Sequence, residues 1–349
     1  MKIKRKIGKM LGGILIASIL CTGPVQLVAA SGKVEISNVY SENIGTYGAS
    51  TSKKSKTTQK TVVFYYRDGS IYKTVKTRNG KVKLPYMANP SGYTFLGWSE
   101  KKGRKKNPKY EAGDVISVNK NTDFYPVIFN RSAEPNLSKR DMAVPTQYKH
   151  IIFVGDSRTY ALEQFLNQKY GKSAFKKVEF IGKPGSNLNW LKKTGSKRLK
   201  KLLEKNKKNG EYEKTAIIFN HGVNNVKHTN GDINIKTLIQ NYCSYMRELA
   251  TILEEKNCDL YYMSVNPINA GTKSAPEKRK GEEIRQFNNG IKNGLKGLYD
   301  YIDTYHYLVK NGYGTAHRLD AQDRDDGTHY TYKTYKRIFA YCLRHLSKK

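Results

Sequence analysis

Ser157 stands in Gly155-Asp156-Ser157-Arg158, directly after the apolar run Ile151-Ile152-Phe153-Val154 and directly before a helical pattern. A serine at such a strand-to-helix turn holds its hydroxyl at a sheet edge, facing the free N–H groups and partial positive charge of a helix N-terminus. Taken alone, the tripeptide fits a helix cap at least as well. A hydroxyl becomes a nucleophile only when a base accepts its proton and a carboxylate orients that base. Of the seven histidines, two follow an aspartate at a spacing of three: Asp303–His306 and Asp326–His329. The second pair falls in a polar loop just before the last helical pattern, where both side chains can turn back over strand ends. It is the expected base, and Asp303 reads as a structural carboxylate at the end of a strand.

Acyl transfer also requires donors for an oxyanion. Asn220-His221-Gly222-Val223-Asn224-Asn225 follows the apolar run Ala216–Phe219 and supplies side-chain amides. Gly182-Lys183-Pro184-Gly185-Ser186-Asn187 follows Val178–Ile181 and supplies a glycine whose N–H can be approached closely. Each stretch alone is ordinary turn chemistry. Together, four polar segments arranged on successive elements of one sheet point to a single site. The chain has no G-x-S-x-G elbow, P-loop, G-x-G-x-x-G or H-E-x-x-H, which turns the reading away from an α/β-hydrolase, nucleotide binding and zinc chemistry.

The elements that must position these residues alternate. Short apolar strands at 151–154, 178–181, 216–219, 260–263 and 301–302 are separated by amphipathic helices. These helices carry Leu162, Phe165 and Leu166; Leu199, Leu202 and Leu203; Tyr242, Met246 and Leu249; Ile284, Phe287, Ile291, Leu295 and Leu298; and Ile338, Phe339 and Cys342. Such alternation implies an α/β domain at 148–349: a flavodoxin-like three-layer α/β/α with a five-stranded parallel sheet. Chemistry in these sheets gathers at the C-terminal strand ends, where Ser157 and its partners fall.

Residues 148–346 resemble the SGNH (GDSL-like) hydrolase family. The first block of that family corresponds to Gly155-Asp156-Ser157, its oxyanion glycine to Gly185, its Gly-x-Asn-Asp block to Gly222-Val223-Asn224, and its Asp-x-x-His block to Asp326 and His329. The resemblance implies Ser157 as nucleophile, His329 as base and Asp326 as orienting carboxylate. It also implies an oxyanion hole made of the Ser157 and Gly185 N–H groups and the Asn224 amide. Ester hydrolysis without a metal or organic cofactor follows from it. Two positions depart from the pattern: Arg158 replaces a leucine, a change expected to alter little, and Asn225 replaces an aspartate, a mostly structural position. Related domains pass the acyl group to a sugar, so a glycan O-acyltransferase is an alternative. A cationic surface-binding protein on an idle hydrolase scaffold is another.

The N-terminal part speaks to location. Lys2, Lys4, Arg5, Lys6 and Lys9 precede an apolar stretch, and Val28-Ala29-Ala30 offers a cleavage site, so residues 1–30 read as a secretory signal peptide. Residues 31–58 read as a flexible linker. Residues 59–130 read as a small β-rich module. Its Gly92-Tyr93-Thr94-Phe95-Leu96-Gly97-Trp98 and Tyr110-Glu111-Ala112-Gly113-Asp114 segments resemble the Listeria–Bacteroides (internalin-type B) repeat, a β-grasp-like module of secreted and surface-attached bacterial proteins. Trp98 is expected in its core. Residues 131–147, with Pro135 and Pro145, read as a linker.

With 63 Lys+Arg against 29 Asp+Glu the chain has a formal charge of +34. Such an excess favours polyanions. In an exported protein of a Gram-positive-like envelope, these are anionic wall polymers or glycans rather than nucleic acid. The alternative is that the charge only keeps the protein soluble and loosely surface-bound. The expected substrate is an acylated glycan or small ester, with no transmembrane anchor expected once the leader is cleaved. Cys243 and Cys342 are expected as buried thiols, with a Cys243–Cys258 bridge left open.

Overall fold

The structure, a computed structural model, describes residues 58–88, 90, 92–228, 233–269, 279–316 and 325–348. The expected leader and nearly all of the linker at 31–58 lie outside the described residues.

The first part is a mixed sheet. Strands β1 (Lys60–Tyr65), β2 (Ile71–Thr77), β4 (Tyr93–Ser99) and β6 (Thr122–Asn130) lie in the order β2-β1-β6-β4, while β3 (Lys81–Lys83) and β5 (Val115–Ser117) form a separate antiparallel pair. Strands β1 and β6 run parallel at the centre, flanked by antiparallel partners. Trp98 is buried at the heart of this unit, edge-on to Phe64 (4.9 Å between centroids) and Phe95 (5.2 Å). Its indole N–H donates to the Pro85 carbonyl at 2.8 Å, so it is a core residue, as expected.

Beyond residue 147 comes the α/β domain. Its strands are β7 (His150–Gly155), β8 (Val178–Gly182), β11 (Thr215–Asn220), β12 (Cys258–Met263) and β13 (Asp300–Ile302). Strands β9 (Lys207–Lys208) and β10 (Glu211–Tyr212) form a small hairpin outside the main sheet. The main sheet is parallel throughout, in the order β13-β12-β11-β7-β8, which is the doubly wound arrangement expected. Its helices are α1 (Ser157–Tyr170), α2 (Leu188–Trp190) running through a wide turn into α3 (Ser196–Lys205), α4 (Ile235–Leu253), α5 (Gly281–Gly294), α6 (Thr304–Asn311) and α7 (Tyr332–Leu346).

Strand alternation divides the core in two. Ile152, Val154, Ile217 and Phe219 face α3, α4 and α5. Ile151, Phe153, Ala216 and Ile218 face α1 and α7. With both faces covered, the central strands are apolar without interruption. Two residues expected on α5 lie beyond it: Leu295, which follows its last residue and is buried, and Leu298. The helix stops at Gly294, Gly297 takes the left-handed conformation (φ +85°), and Leu298 is 49% exposed.

The segment 131–147 differs from a plain linker. Glu134 is buried and meets the Arg337 guanidinium at 3.1 Å, both side chains no more than 2% exposed. Glu134 also accepts hydrogen bonds from Thr331 at the start of α7 (2.8 Å) and from Thr334. The mixed sheet is likewise fastened to the α/β domain. Arg285 of α5 pairs with Glu111 (3.2 Å) and with Asp114, and the Tyr305 hydroxyl donates to Glu111 at 2.6 Å.

Candidate active site

The C-terminal end of β7 brings the nucleophile candidate into place. The Asp156 carboxylate accepts the Arg158 N–H at 2.9 Å and caps α1, leaving Ser157 as its first residue. Gly155 is required by crowding: a Cβ there would stand 1.9 Å from Thr159 Oγ1 and 2.8 Å from the Asn220 carbonyl oxygen. The strand end, helix and neighbouring strand therefore approach as closely as a bare backbone permits.

His329 and Asp326 reach the same place from the loop before α7. The His329 Nε2 lies 2.9 Å from Ser157 Oγ, and its Nδ1 lies 2.6 Å from Asp326 Oδ2. An ionised carboxylate can only accept, so Nδ1 carries the proton and Nε2 of the neutral ring is free to accept the serine hydroxyl hydrogen. Asp326 Oδ1 takes the N–H groups of Thr328 and His329, both at 2.8 Å. Burial opposes ionisation of Asp326. The hydrogen bond and charge of His329, together with those two N–H groups, outweigh it and hold the carboxyl at about 2.

The other pair serves elsewhere. Asp303 caps α6, accepting the His306 N–H at 3.1 Å and lying 2.8 Å from its Nδ1, with the His306 side chain 63% exposed. It follows β13, the far edge of the sheet, three strands from β7.

The amide-rich loops meet beside the serine. Gly185 adopts φ +72° in a turn closed by the Ser186 N–H to the Lys183 carbonyl (3.2 Å). The Lys183 N–H and the Ser186 hydroxyl both donate to the Gly155 carbonyl, at 3.2 and 3.3 Å. Asn224 Nδ2 donates one hydrogen to the Ser186 carbonyl at 2.9 Å, which joins the two loops. Asn225 meets the role expected of an aspartate: its Oδ1 accepts the Leu188 N–H (3.1 Å) and the Tyr242 hydroxyl (2.6 Å), and acceptance is all a carboxylate would supply there.

No family model and no curated protein matches the chain. Among solved structures it is similar to a GDSL-like lipase from Bacteroides thetaiotaomicron, at 18% identity and a TM-score of 0.39, over 62% of this chain and 93% of that one. It is similar to an acetyl xylan esterase, AlAXEase, at 16% identity and a TM-score of 0.37, over 56% of this chain and 99% of that one. A third such structure is Axe2, an acetylxylan esterase from Geobacillus stearothermophilus, at 13% identity and a TM-score of 0.37, over 58% and 95%.

Two arginines escaped the sequence reading. Arg158 was expected to matter little, yet it is buried and spans the site. Its guanidinium donates to the carbonyls of Thr328 (2.9 Å), Asn266 (2.9 Å) and Pro267 (3.3 Å) and lies 5.0 Å from the Tyr330 ring centroid. A leucine offers none of these bonds. Arg279 is also buried and donates to the Val223 carbonyl (2.8 Å) and to Asn224 Oδ1 (3.2 Å), which fixes which way the Asn224 amide points. Burial and the like charge of Arg158 lower Arg279 to about 10, with Asp156 and Asp326 acting the other way.

The loop that carries Asp326 is held from outside the domain too. Arg131 pairs with Asp325, which also accepts the Gly327 N–H and the Thr315 hydroxyl at 2.8 Å. The Tyr86 hydroxyl accepts the Gly281 N–H at 2.8 Å, two residues beyond Arg279. Among the described residues no cluster of three or more His, Cys, Asp or Glu side chains could hold a metal ion. The three described cysteines are free thiols.

Proposed function

We propose that this chain is a serine ester hydrolase of the SGNH type, which removes small acyl groups, acetyl foremost, from glycans outside the cell. The reading rests on one observation above all: the continuous relay Ser157 Oγ–His329 Nε2 at 2.9 Å and His329 Nδ1–Asp326 at 2.6 Å. In this mechanism His329 takes the Ser157 proton as the oxygen attacks the ester carbonyl. The oxyanion is received by the N–H groups of Ser157 and Gly185 and by the second hydrogen of Asn224 Nδ2. The imidazolium, steadied by Asp326, then protonates the departing alcohol, and water releases the acid by the same path in reverse.

Glycans outside the cell are favoured by the leader-like residues 1–30, by the resemblance of 59–130 to a module of surface proteins, and by the charge of +34. Incubation of the full chain with a fluorophosphonate tests the chemistry: Ser157 is the expected labelled residue, and Ser157→Ala abolishes both labelling and acetate release from acetylated xylan. Equal turnover by Ser157→Ala would overturn the reading. Product analysis with an acceptor glycan present separates hydrolysis from acyl transfer.

A further inference from the structure

A cleft of about 710 Å³ lies away from the triad and contains none of its residues. It opens between the mixed sheet and helices α6 and α7, and its volume is in the range of about 300–1,000 Å³ usual for ligand sites. Its wall carries six cations, Arg67, Lys102, Arg104, Lys105, Lys106 and the Glu134-paired Arg337, and no aspartate or glutamate. None of the first five makes an ion pair with a described residue, whereas elsewhere in the molecule Lys83, Lys109, Lys207, Lys214 and Arg285 are matched by carboxylates. Unmatched like charges facing one concavity repel one another, and an anion that settles among them relieves the repulsion.

The rest of the wall is aromatic. Tyr66, Tyr93, Tyr125 and Tyr307 line the same cleft, and Tyr66 is 44% exposed. The Arg67 guanidinium lies 4.8 Å from the Tyr93 ring centroid, which holds the ring in place and leaves the guanidinium edge for hydrogen bonding. Tyr125 stacks on Tyr65 at 5.0 Å and Tyr307 on Tyr341 at 4.3 Å, so both rings are braced from behind. Braced tyrosine faces suit the C–H faces of sugar rings, being flat and apolar with a polar tip. A surface with cations alone would suit any polyanion; cations interleaved with tyrosines suit a sugar polymer that also carries charge.

We propose that this cleft binds an extended glycan bearing anionic groups, with its sugar rings on the tyrosines and its acidic groups on Arg67 and the 102–106 turn. The assignment goes beyond the esterase reading and stands without it.

The test is calorimetric titration of the full chain with hexagalacturonate as the probe. The wild-type chain binds it, with affinity falling as added salt shortens the screening length. Replacing Lys102, Arg104 and Lys105 with glutamine weakens binding by about tenfold or more, as expected for the loss of three focused charges. Tyr66→Ala weakens it by about threefold, the loss of one stacked ring. A control with Lys197, Lys201 and Lys205 of α3 changed to glutamine has the same net charge as the cleft triple and keeps wild-type affinity. Unchanged melting temperatures establish that the variants are folded. Equal weakening in both triple variants, unaltered binding by Tyr66→Ala, or no binding by the wild-type chain would each overturn the proposal. Ser157→Ala binds normally, so loss of the esterase reading and loss of this one are distinguishable.

Discussion

At the scale of single residues, the site combines groups that sequence spacing marks with groups it cannot mark. Asp326 and His329 were legible because a carboxylate three residues before a histidine, in a loop ahead of a helix, can bind both the ring nitrogen and the local N–H groups. Arg158 and Arg279 were not. In a chain with 63 basic residues, a single arginine carries no signal until its burial is seen. Their importance is testable. Arg158→Leu leaves the carbonyls of Thr328 and Asn266 without the buried donor they have, while Pro267 keeps the Tyr330 hydroxyl. The expected cost is about 3 kcal/mol of stability, from two unsatisfied carbonyls at about 1–3 kcal/mol each with partial relaxation. Aryl-ester turnover falls with it, because the residue before His329 is released. A variant with wild-type melting temperature and kcat would show that the guanidinium clamps nothing. Asn224→Ala is expected to lower kcat by about a hundredfold or more, the usual effect of losing one oxyanion donor, with little change in KM. A change confined to KM would place Asn224 outside the oxyanion hole.

Secondary-structure elements were mostly readable from periodicity, since apolar strands and amphipathic helices differ in repeat. The failures occurred where local composition misled. Residues 131–147 contain prolines and mixed charges, the signature of a linker, but Glu134 becomes a buried partner for Arg337 and for the first turn of α7. That pairing involves residues some 200 positions apart, which no local pattern reveals. Burial pushes the Glu134 carboxyl upward, while its bonds to Thr334, Thr331 and Arg337 pull it back. Removing it leaves a buried guanidinium without its carboxylate. Glu134→Ala is therefore expected to destabilise the protein by about 3–5 kcal/mol, as for other broken buried pairs. Because α7 begins just after His329, fluorophosphonate labelling of Ser157 should slow in the same variant. Denaturant unfolding within 1 kcal/mol of wild type, approximately the scale of an exposed pair, would argue against this role.

For the molecule as a whole, a formal charge of +34 makes acid conditions a threat twice over, through self-repulsion and through specific groups. His221, at the end of β11, is buried, and that burial lowers its imidazole from 6.5 to about 3. The folded chain keeps it neutral while the unfolded chain protonates it below 6.5. Stability from this group is therefore complete above that pH and is lost progressively as pH falls towards 3. Asp326 acts in the same direction lower down: its carboxyl lies at about 2 against 3.8 in the ordinary case, so its contribution is complete above 3.8 and is lost on the way to 2. Net stability measured by urea unfolding should thus decline between pH 6.5 and 4, where His221 titrates only in the unfolded state. His221→Asn should make that decline shallower by about one proton, a slope of about 1.4 kcal/mol per pH unit at most. An unchanged slope would mean that the imidazole already binds its proton in the folded chain. The charge at the end of β11 would then have to be borne by a rearrangement of the two loops that Asn224 joins through the Ser186 carbonyl, the loops proposed to form the oxyanion hole.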